Sequence, residues 1–352
     1  MKKFLFLTLS ELFHNAPVMN INSQDRILIF SDLHMGNQGD RDDFLKNSSL
    51  FAHILANYYL KNDFKLILNG DIEELHKFSL KKITTKWADI YDLYDQFRKR
   101  DALYKTIGNH DYYLLYEPRY IFSELILPAL VLDYHDNKIF IFHGHQASNI
   151  LEKFNPFFGL VLRYITKPLG IKNHSAAYDS RKRFKIEKKV HDFSSGQKII
   201  SIIGHTHRPL FESLSKIDTL RFKIEQLCRE YPIASNDEKR SIEIQIHNYK
   251  EKLQYYFKVN KKDGLRNSIY DSTLLIPCVF NSGCGIGKRG ITSIEIKNGK
   301  IYLIYWFNID KNRKHLEQYD QKPRRLGNSS YYRMVLKKES LDYIFSRIKL
   351  LA

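Results

Sequence analysis

Cysteine is scarce in this chain. Three occur among 352 residues, Cys228, Cys278 and Cys284, an odd number with no CxxC spacing. That excludes a disulfide framework and a thiolate zinc knuckle, and it fits a reducing compartment. Glycine (16) and proline (9) are too few for a collagen-like or linker-dominated chain. No apolar run approaches the roughly 18–20 residues of a membrane-spanning helix. The N-terminal run in MKKFLFLTLSELFHNAP stops at Ser10 and Glu11, after about six apolar residues against the roughly 7–15 of a secretory core. It reads as a short amphipathic element, and the expected location is the cytoplasm. Negative charge is also in deficit: 39 Asp+Glu stand against 56 Lys+Arg, a net charge of +17. The balance points to an anionic partner such as phosphate, nucleic acid or a membrane surface. Hydrophobic residues make up 43% of the chain and aromatics 14%, which is enough for a packed core and excludes global disorder.

One arrangement recurs. A short β-like apolar run ends in polar residues able to hold metals. RILIF (26–30) runs into Ser31-Asp32-Leu33-His34, and KLIL (65–68) into Asn69-Gly70-Asp71. ALYKTI (102–107) runs into Gly108-Asn109-His110-Asp111, KIFIF (138–142) into His143-Gly144-His145, and KIISII (198–203) into Gly204-His205-Thr206-His207. A sixth run, LLIPCVF, ends in Asn281-Ser282-Gly283. Short runs bounded by glycine read as buried strands. Residues 45–60 place Leu50, Phe51, Ile54, Leu55 and Tyr58 on one helical face. Strand–helix alternation predicts a buried sheet covered by helices, with sites at the carboxyl ends of the strands.

Asp32 and His34 are two apart, as are His205 and His207. On an extended chain such pairs project to one side and can converge on a point. The proposed ligand set is Asp32, His34, Asp71, Asn109, His143, His205 and His207. Its N and O donors suit Mn, Fe, Zn or Ni, with Mn favoured, and disfavour Cu(I) or an iron–sulfur cluster. Seven side chains exceed one tetrahedral ion and suit two ions sharing a carboxylate.

These residues resemble the calcineurin-like metallophosphoesterase superfamily, whose pattern is D-x-H, G-D-x-x-[DE], G-N-H-[DE], a strand-ending H, and G-H-x-H. The resemblance runs over about residues 25–307 and implies a four-layer α/β/β/α sandwich. It implies that Asp32, His34, Asp71 and His207 hold one metal, and that Asp71 (bridging), Asn109, His143 and His205 hold the other. His110 would act on the phosphoryl or leaving-group oxygen, with Asp111 fixing its ring. The implied chemistry is in-line attack on phosphorus by a metal-activated hydroxide. Arg41, in the loop after the first motif, and Arg208, after the last, are candidate phosphate clamps. The wording SDLHMG…RDDF, HGHQ and GHTHRP resembles the branch related to UDP-2,3-diacylglucosamine hydrolases, which cleave a pyrophosphate in lipid A precursor synthesis. Those enzymes usually carry arginine where this chain has His110, so the expectation stops at phosphoester or pyrophosphate hydrolysis. A nuclease is the runner-up, and a scaffold without activity is a weaker alternative because no ligand is missing.

The catalytic domain is expected over residues 1–310, with two helical insertions. The first, 151–195, carries Phe154, Phe157, Phe158, Val161 and Ile165 at helical spacing and then a basic stretch from Arg181 to Lys189. It reads as a lid. The second, 211–264, has two apolar seams, Ile217 to Tyr231 and Ile242 to Tyr256, that predict a coiled-coil-like hairpin suited to self-association. Asn298-Gly299 predicts a β-hairpin. Residues 311–352 read as a basic extension ending in a helix over 340–351. The segments 151–195 and 311–352 carry +6 and +7 of the net charge, which favours docking on an anionic membrane or soluble anion over dedicated nucleic-acid binding.

Overall fold

The structure is a computed structural model that describes residues 2–148, 180–213, 216–261, 276–312 and 322–352. The helical face 154–165 expected over the metals lies outside the described residues.

The chain opens on helix α1 (Lys2–Asn15) and strand β1 (Val18–Ile21), then β2 (Ile27–Phe30), α2 (Ser48–Ile54) and β3 (Lys65–Asn69). Helices α3 (Leu80–Lys86) and α4 (Ala88–Arg98) precede β4 (Leu103–Thr106), β5 (Ile126–Leu127), β6 (Leu130–Tyr134) and β7 (Asn137–Ile141). Next come α5 (Ser180–Gln197), β8 (Ile200–Ile203), α6 (Lys216–Glu230), α7 (Asn236–Lys261), β9 (Val279–Asn281), β10 (Ile291–Lys297) and β11 (Lys300–Asn308). The chain ends in β12 (Arg324–Arg325), β13 (Tyr331–Ser340) and α8 (Leu341–Leu351).

The strands form two sheets. One is five-stranded in the order β1-β6-β7-β8-β9, the other eight-stranded in the order β12-β13-β11-β10-β2-β3-β4-β5. Strand β2 shows why they stack. Ile27 and Ile29 join a core that also holds Ile139, Ile141, Ile200 and Ile202 of the other sheet. Leu28 and Phe30 join a second core with Phe51 and Ile54 of α2 and with Ile90, Tyr94 and Phe97 of α4. Period-two alternation of an unbroken apolar strand therefore feeds both faces. On the far side of the five-stranded sheet, α5 inserts Ile186, Val190 and Phe193. This is the mixed α/β sandwich expected from the sequence.

Most expected strands form with ends shifted by one or two residues. Among its described residues LLIPCVF yields only Val279 and Phe280 as strand, which Asn281 ends. The 45–60 helix starts as a 3-10 turn, runs as α2 and continues as a π-helical turn over Leu55–Tyr59. The N-terminal element is a 14-residue helix whose Leu9 is buried and whose Phe13 packs on Phe140. Asn298 and Gly299 adopt φ of 52° and 64° and join β10 to β11, as the dipeptide predicts. Helices α6 and α7 pair antiparallel, since Lys223 meets Tyr249 while Tyr231 meets Glu243. Leu220, Ile242 and Tyr249 are buried in that seam, so much of the apolar repeat is satisfied within the chain. No described helix is long and apolar enough to cross a membrane.

The described segment 322–352 extends the larger sheet. Strand β13 pairs along the whole of β11, and α8 buries Leu341, Ile344, Phe345 and Ile348 in the first core. Its basic residues are partly used internally. Arg333 donates at 2.5 and 3.1 Å to Glu295, which has no exposed surface, so the buried carboxylate has its counter-charge.

Candidate metal centre

The polar motifs sit where the two sheets meet. Asp32, His34, Asp71 and Asn109 follow β2, β3 and β4 of the large sheet; His143, His205 and His207 follow β7 and β8 of the small one. Five of these positions have left-handed backbone: Asp32 (φ 54°), His34 (50°), Asp71 (53°), His205 (63°) and His207 (52°). That conformation is unfavourable for residues with a Cβ and concentrates where surrounding structure over-determines it. Here it ends each strand sharply and turns the side chain into the seam. Two glycines admit the close approach this requires. A Cβ on Gly108 would lie 2.1 Å from Asp71 Oδ1, and one on Gly204 would lie 2.5 Å from Asp32 Oδ2.

Four overlapping groups result among the described residues: Asp32, His34 and His207 form the first, Asp71, His143 and His205 the second, and His110 joins His34 and Asp71, or Glu74 and His76, in the other two. His207 Nε2 stands 3.0 Å from Asp32 Oδ1 and 3.1 Å from His34 Nε2. Two ring nitrogens on one tetrahedral ion at about 2.1 Å would lie about 3.4 Å apart, so the spacing suits a shared cation. His143 Nε2 stands 3.1 Å from Asp71 Oδ2 but is not aligned to hydrogen-bond with it. His143 Nε2, His205 Nε2 and Asn109 Oδ1 are buried with no hydrogen-bond partner. Buried polar atoms are rarely left unpaired, and three donors of one expected ligand set being so is the fit test for a metal here. The residues pass it.

The far side of several ligands is braced. His143 Nδ1 bonds the Asn69 carbonyl at 2.9 Å, and His34 Nδ1 meets Glu74 Oε2 at 3.2 Å, so both rings present Nε2 inward. Ser31 donates to Asp32 at 2.5 Å, and the His205 amide donates to the same carboxylate. Asn281, from the sixth apolar run, donates to the Gly204 carbonyl and to Thr206 Oγ1.

Electrostatics follow from this crowding. Burial opposes charge on His143, yet Asp71 and Asp32 beside it push its pKa up to about 10. His205, buried and facing His143, is pushed down to about 3. Burial also opposes the Asp71 carboxylate, but His143 and His110 hold it well below the usual carboxylate range. The carboxylates thus gather positive charge from protons, the charge that a bound cation displaces.

Residues 25–213, more than half of the chain, match the family model described as calcineurin-like phosphoesterase. The chain belongs to the calcineurin-like phosphoesterase family. A search of the curated proteins returned no match. With the clustered His and Asp residues, membership makes this phosphoesterase a metal-dependent phosphohydrolase with a candidate dinuclear centre.

The structure reassigns two expected contacts of the phosphoesterase. Asp111 does not hold the His110 ring. Its carboxylate turns back onto the Gly108 amide at 2.6 Å and the Ile72 amide at 2.7 Å, which a buried acceptor beside two unpaired amides satisfies best. Glu74 holds the ring instead, meeting His110 Nδ1 at 2.8 Å while its other oxygen holds His34. Burial opposes charging His110, and Asp71 with Glu74 outweigh it, raising the pKa to about 9. Glu74→Gln is therefore expected to lower kcat by about 10- to 100-fold in steady-state assays, with the fold retained by circular dichroism.

Arg208 is the second reassignment. Its Nε and Nη2 both donate to Glu187 of α5, so the fork expected to grip phosphate is occupied. Glu187 also accepts the Thr206 hydroxyl at 2.9 Å, and Lys189 donates to the Ala147 carbonyl at 3.1 Å. Helix α5, read as the end of a lid, thus grips both ligand loops of the small sheet. Arg41 is exposed on the loop 36–43 and makes no hydrogen bond or ion pair among the described residues.

Proposed function

We propose that the phosphoesterase hydrolyses a phosphoric ester or pyrophosphate at a two-metal centre held by Asp32, His34, Asp71, Asn109, His143, His205 and His207. Asp32, His34, Asp71 and His207 would hold one ion, and Asp71, Asn109, His143 and His205 the other. The observation that carries the reading is the convergence of these donors from both sheets, with three of them buried and unpartnered. When bound, the ions would supply hydroxide at neutral pH and neutralise phosphoryl charge, with Mn favoured. His110 supplies the proton. Its Nδ1 is committed to Glu74, which leaves Nε2 to protonate the leaving oxygen, and its side chain keeps 20% of its surface open. Arg41, without a hydrogen bond or ion pair among the described residues, is proposed to meet substrate; Arg208 positions the His205–His207 loop through Glu187.

We propose a cytoplasmic placement, on the sequence's odd count of cysteines without CxxC spacing. The resemblance to UDP-2,3-diacylglucosamine hydrolases makes a nucleotide-diphospho lipid one substrate to try, and the net charge makes an anionic membrane one surface to try. The test is a Mn²⁺-supplemented screen of phosphomonoesters, phosphodiesters, nucleotide-diphospho sugars and single-stranded DNA, with and without anionic vesicles. Turnover of a small phosphoester with DNA left intact is expected. Cleavage of DNA alone would favour the nuclease, and no turnover of any substrate with either Mn²⁺ or Zn²⁺ would overturn the proposal.

A further inference from the structure

Lys105 lies within β4 and has no exposed surface. A buried ammonium needs a paired charge. Its Nζ donates to Glu73 Oε2 at 2.7 Å and stands 3.7 Å from Asp111 Oδ2. Glu73 is equally buried, and its Oε1 accepts the hydroxyls of Tyr91 and Tyr120 at 2.8 Å each. Every oxygen of the Glu73 and Asp111 carboxylates therefore has a partner, counting the Gly108 and Ile72 amides on Asp111.

The placement of these groups gives them a purpose beyond packing. Glu73 is two residues past Asp71, and Asp111 is two past Asn109 and next to His110. Lys105 thus draws together the two loops that carry the bridging carboxylate, a second ligand and the proton donor. The tie reaches the ligand itself, because the His110 amide donates to Asp71 Oδ1 at 2.8 Å. Stability alone does not call for such a group, since apolar replacements of equal volume are often as good as a buried ion pair. Directional contacts differ from apolar packing in fixing where each loop stops.

We propose that Glu73, Lys105 and Asp111 form a positioning device that sets the mutual placement of Asp71, Asn109 and His110. None of the three touches substrate. The inference rests on the hydrolase reading, so its test also reads metal affinity.

Lys105→Met leaves Glu73 buried without its counter-charge and is expected to lower the melting temperature. The double variant Glu73→Gln/Lys105→Met removes the Glu73–Lys105 charges, leaves Asp111 on its two amides, and is expected to recover most of the lost melting temperature. Its kcat should nevertheless stay about 10- to 100-fold down with KM unchanged, and its Mn²⁺ affinity should fall by a similar factor, as for other supports of metal ligands. A double variant with wild-type kcat and Mn²⁺ affinity would show a merely structural network and overturn the inference. Should the double variant not fold, Tyr120→Phe carries the test by removing one donor to Glu73. A reduced kcat and Mn²⁺ affinity in that variant supports positioning, and wild-type values for both overturn it. Absence of turnover in the wild type counts against the hydrolase reading alone, because the Mn²⁺ affinities of the variants still decide the positioning role.

Discussion

Asp71→Asn is expected to lower hydrolysis of an artificial aryl phosphodiester by about a thousandfold or more, the scale of loss when one member of a concerted site is removed. Asparagine matches aspartate in shape and tolerates left-handed backbone, so the φ of 53° at this position is retained. The chemistry is not. Oδ2 stands 3.1 Å from His143 Nε2 and 3.9 Å from His34 Nε2, between the two metal groups. An amide there removes the shared negative charge, and one of its two orientations points N–H bonds at the ring nitrogens. Initial rates in Mn²⁺, with circular dichroism to show an unchanged fold, check the outcome. Full activity in this variant would remove the site assignment.

Stripping the metals is expected to have an effect of the same size on rate, and a second effect on stability. Dialysis against a chelator should reduce turnover to background, and added Mn²⁺ should restore it. An ion that binds only the folded state at a hundredfold excess over its Kd stabilises by about 2.7 kcal/mol. The metal-free protein should therefore melt at a lower temperature, and the difference should grow with Mn²⁺ concentration. Scanning calorimetry across a Mn²⁺ series measures it. A midpoint indifferent to Mn²⁺ and to chelator would show that the clustered donors do not bind that ion.

The ligand-bearing strands were readable because each property needed was local. An apolar run and then a donor follow one another in β2, β3, β4, β7 and β8, with a glycine ahead of the donor after β3, β4 and β8. Partners distant in sequence were not readable. Adjacency suggested Asp111 for the His110 ring, whereas Glu74 lies 36 residues away and reaches it through space. Glu187 was read as one charge in a basic stretch, yet it braces Thr206 and Arg208 across 19 and 21 residues. Lys105 in ALYKTI carried no signal of burial, since a lysine in a strand ordinarily faces water. In the C-terminal segment the many cations dominate the composition, while Met334, Leu341, Ile344 and Ile348 are the residues that the fold buries.

The two groups of expected metal ligands each draw on both sheets: Asp32 and His34 from one with His207 from the other, and Asp71 from one with His143 and His205 from the other. Each ion, when bound, would be a rivet through the sandwich as well as a reagent. His34 and His207, brought together at the first, are 173 positions apart in the chain. In the riveted protein the two layers should open only as one cooperative unit. Without the rivets, the amides of β2, β3, β7 and β8, each flanked by strand neighbours within its own sheet, should exchange with solvent sooner than in the metal-loaded protein.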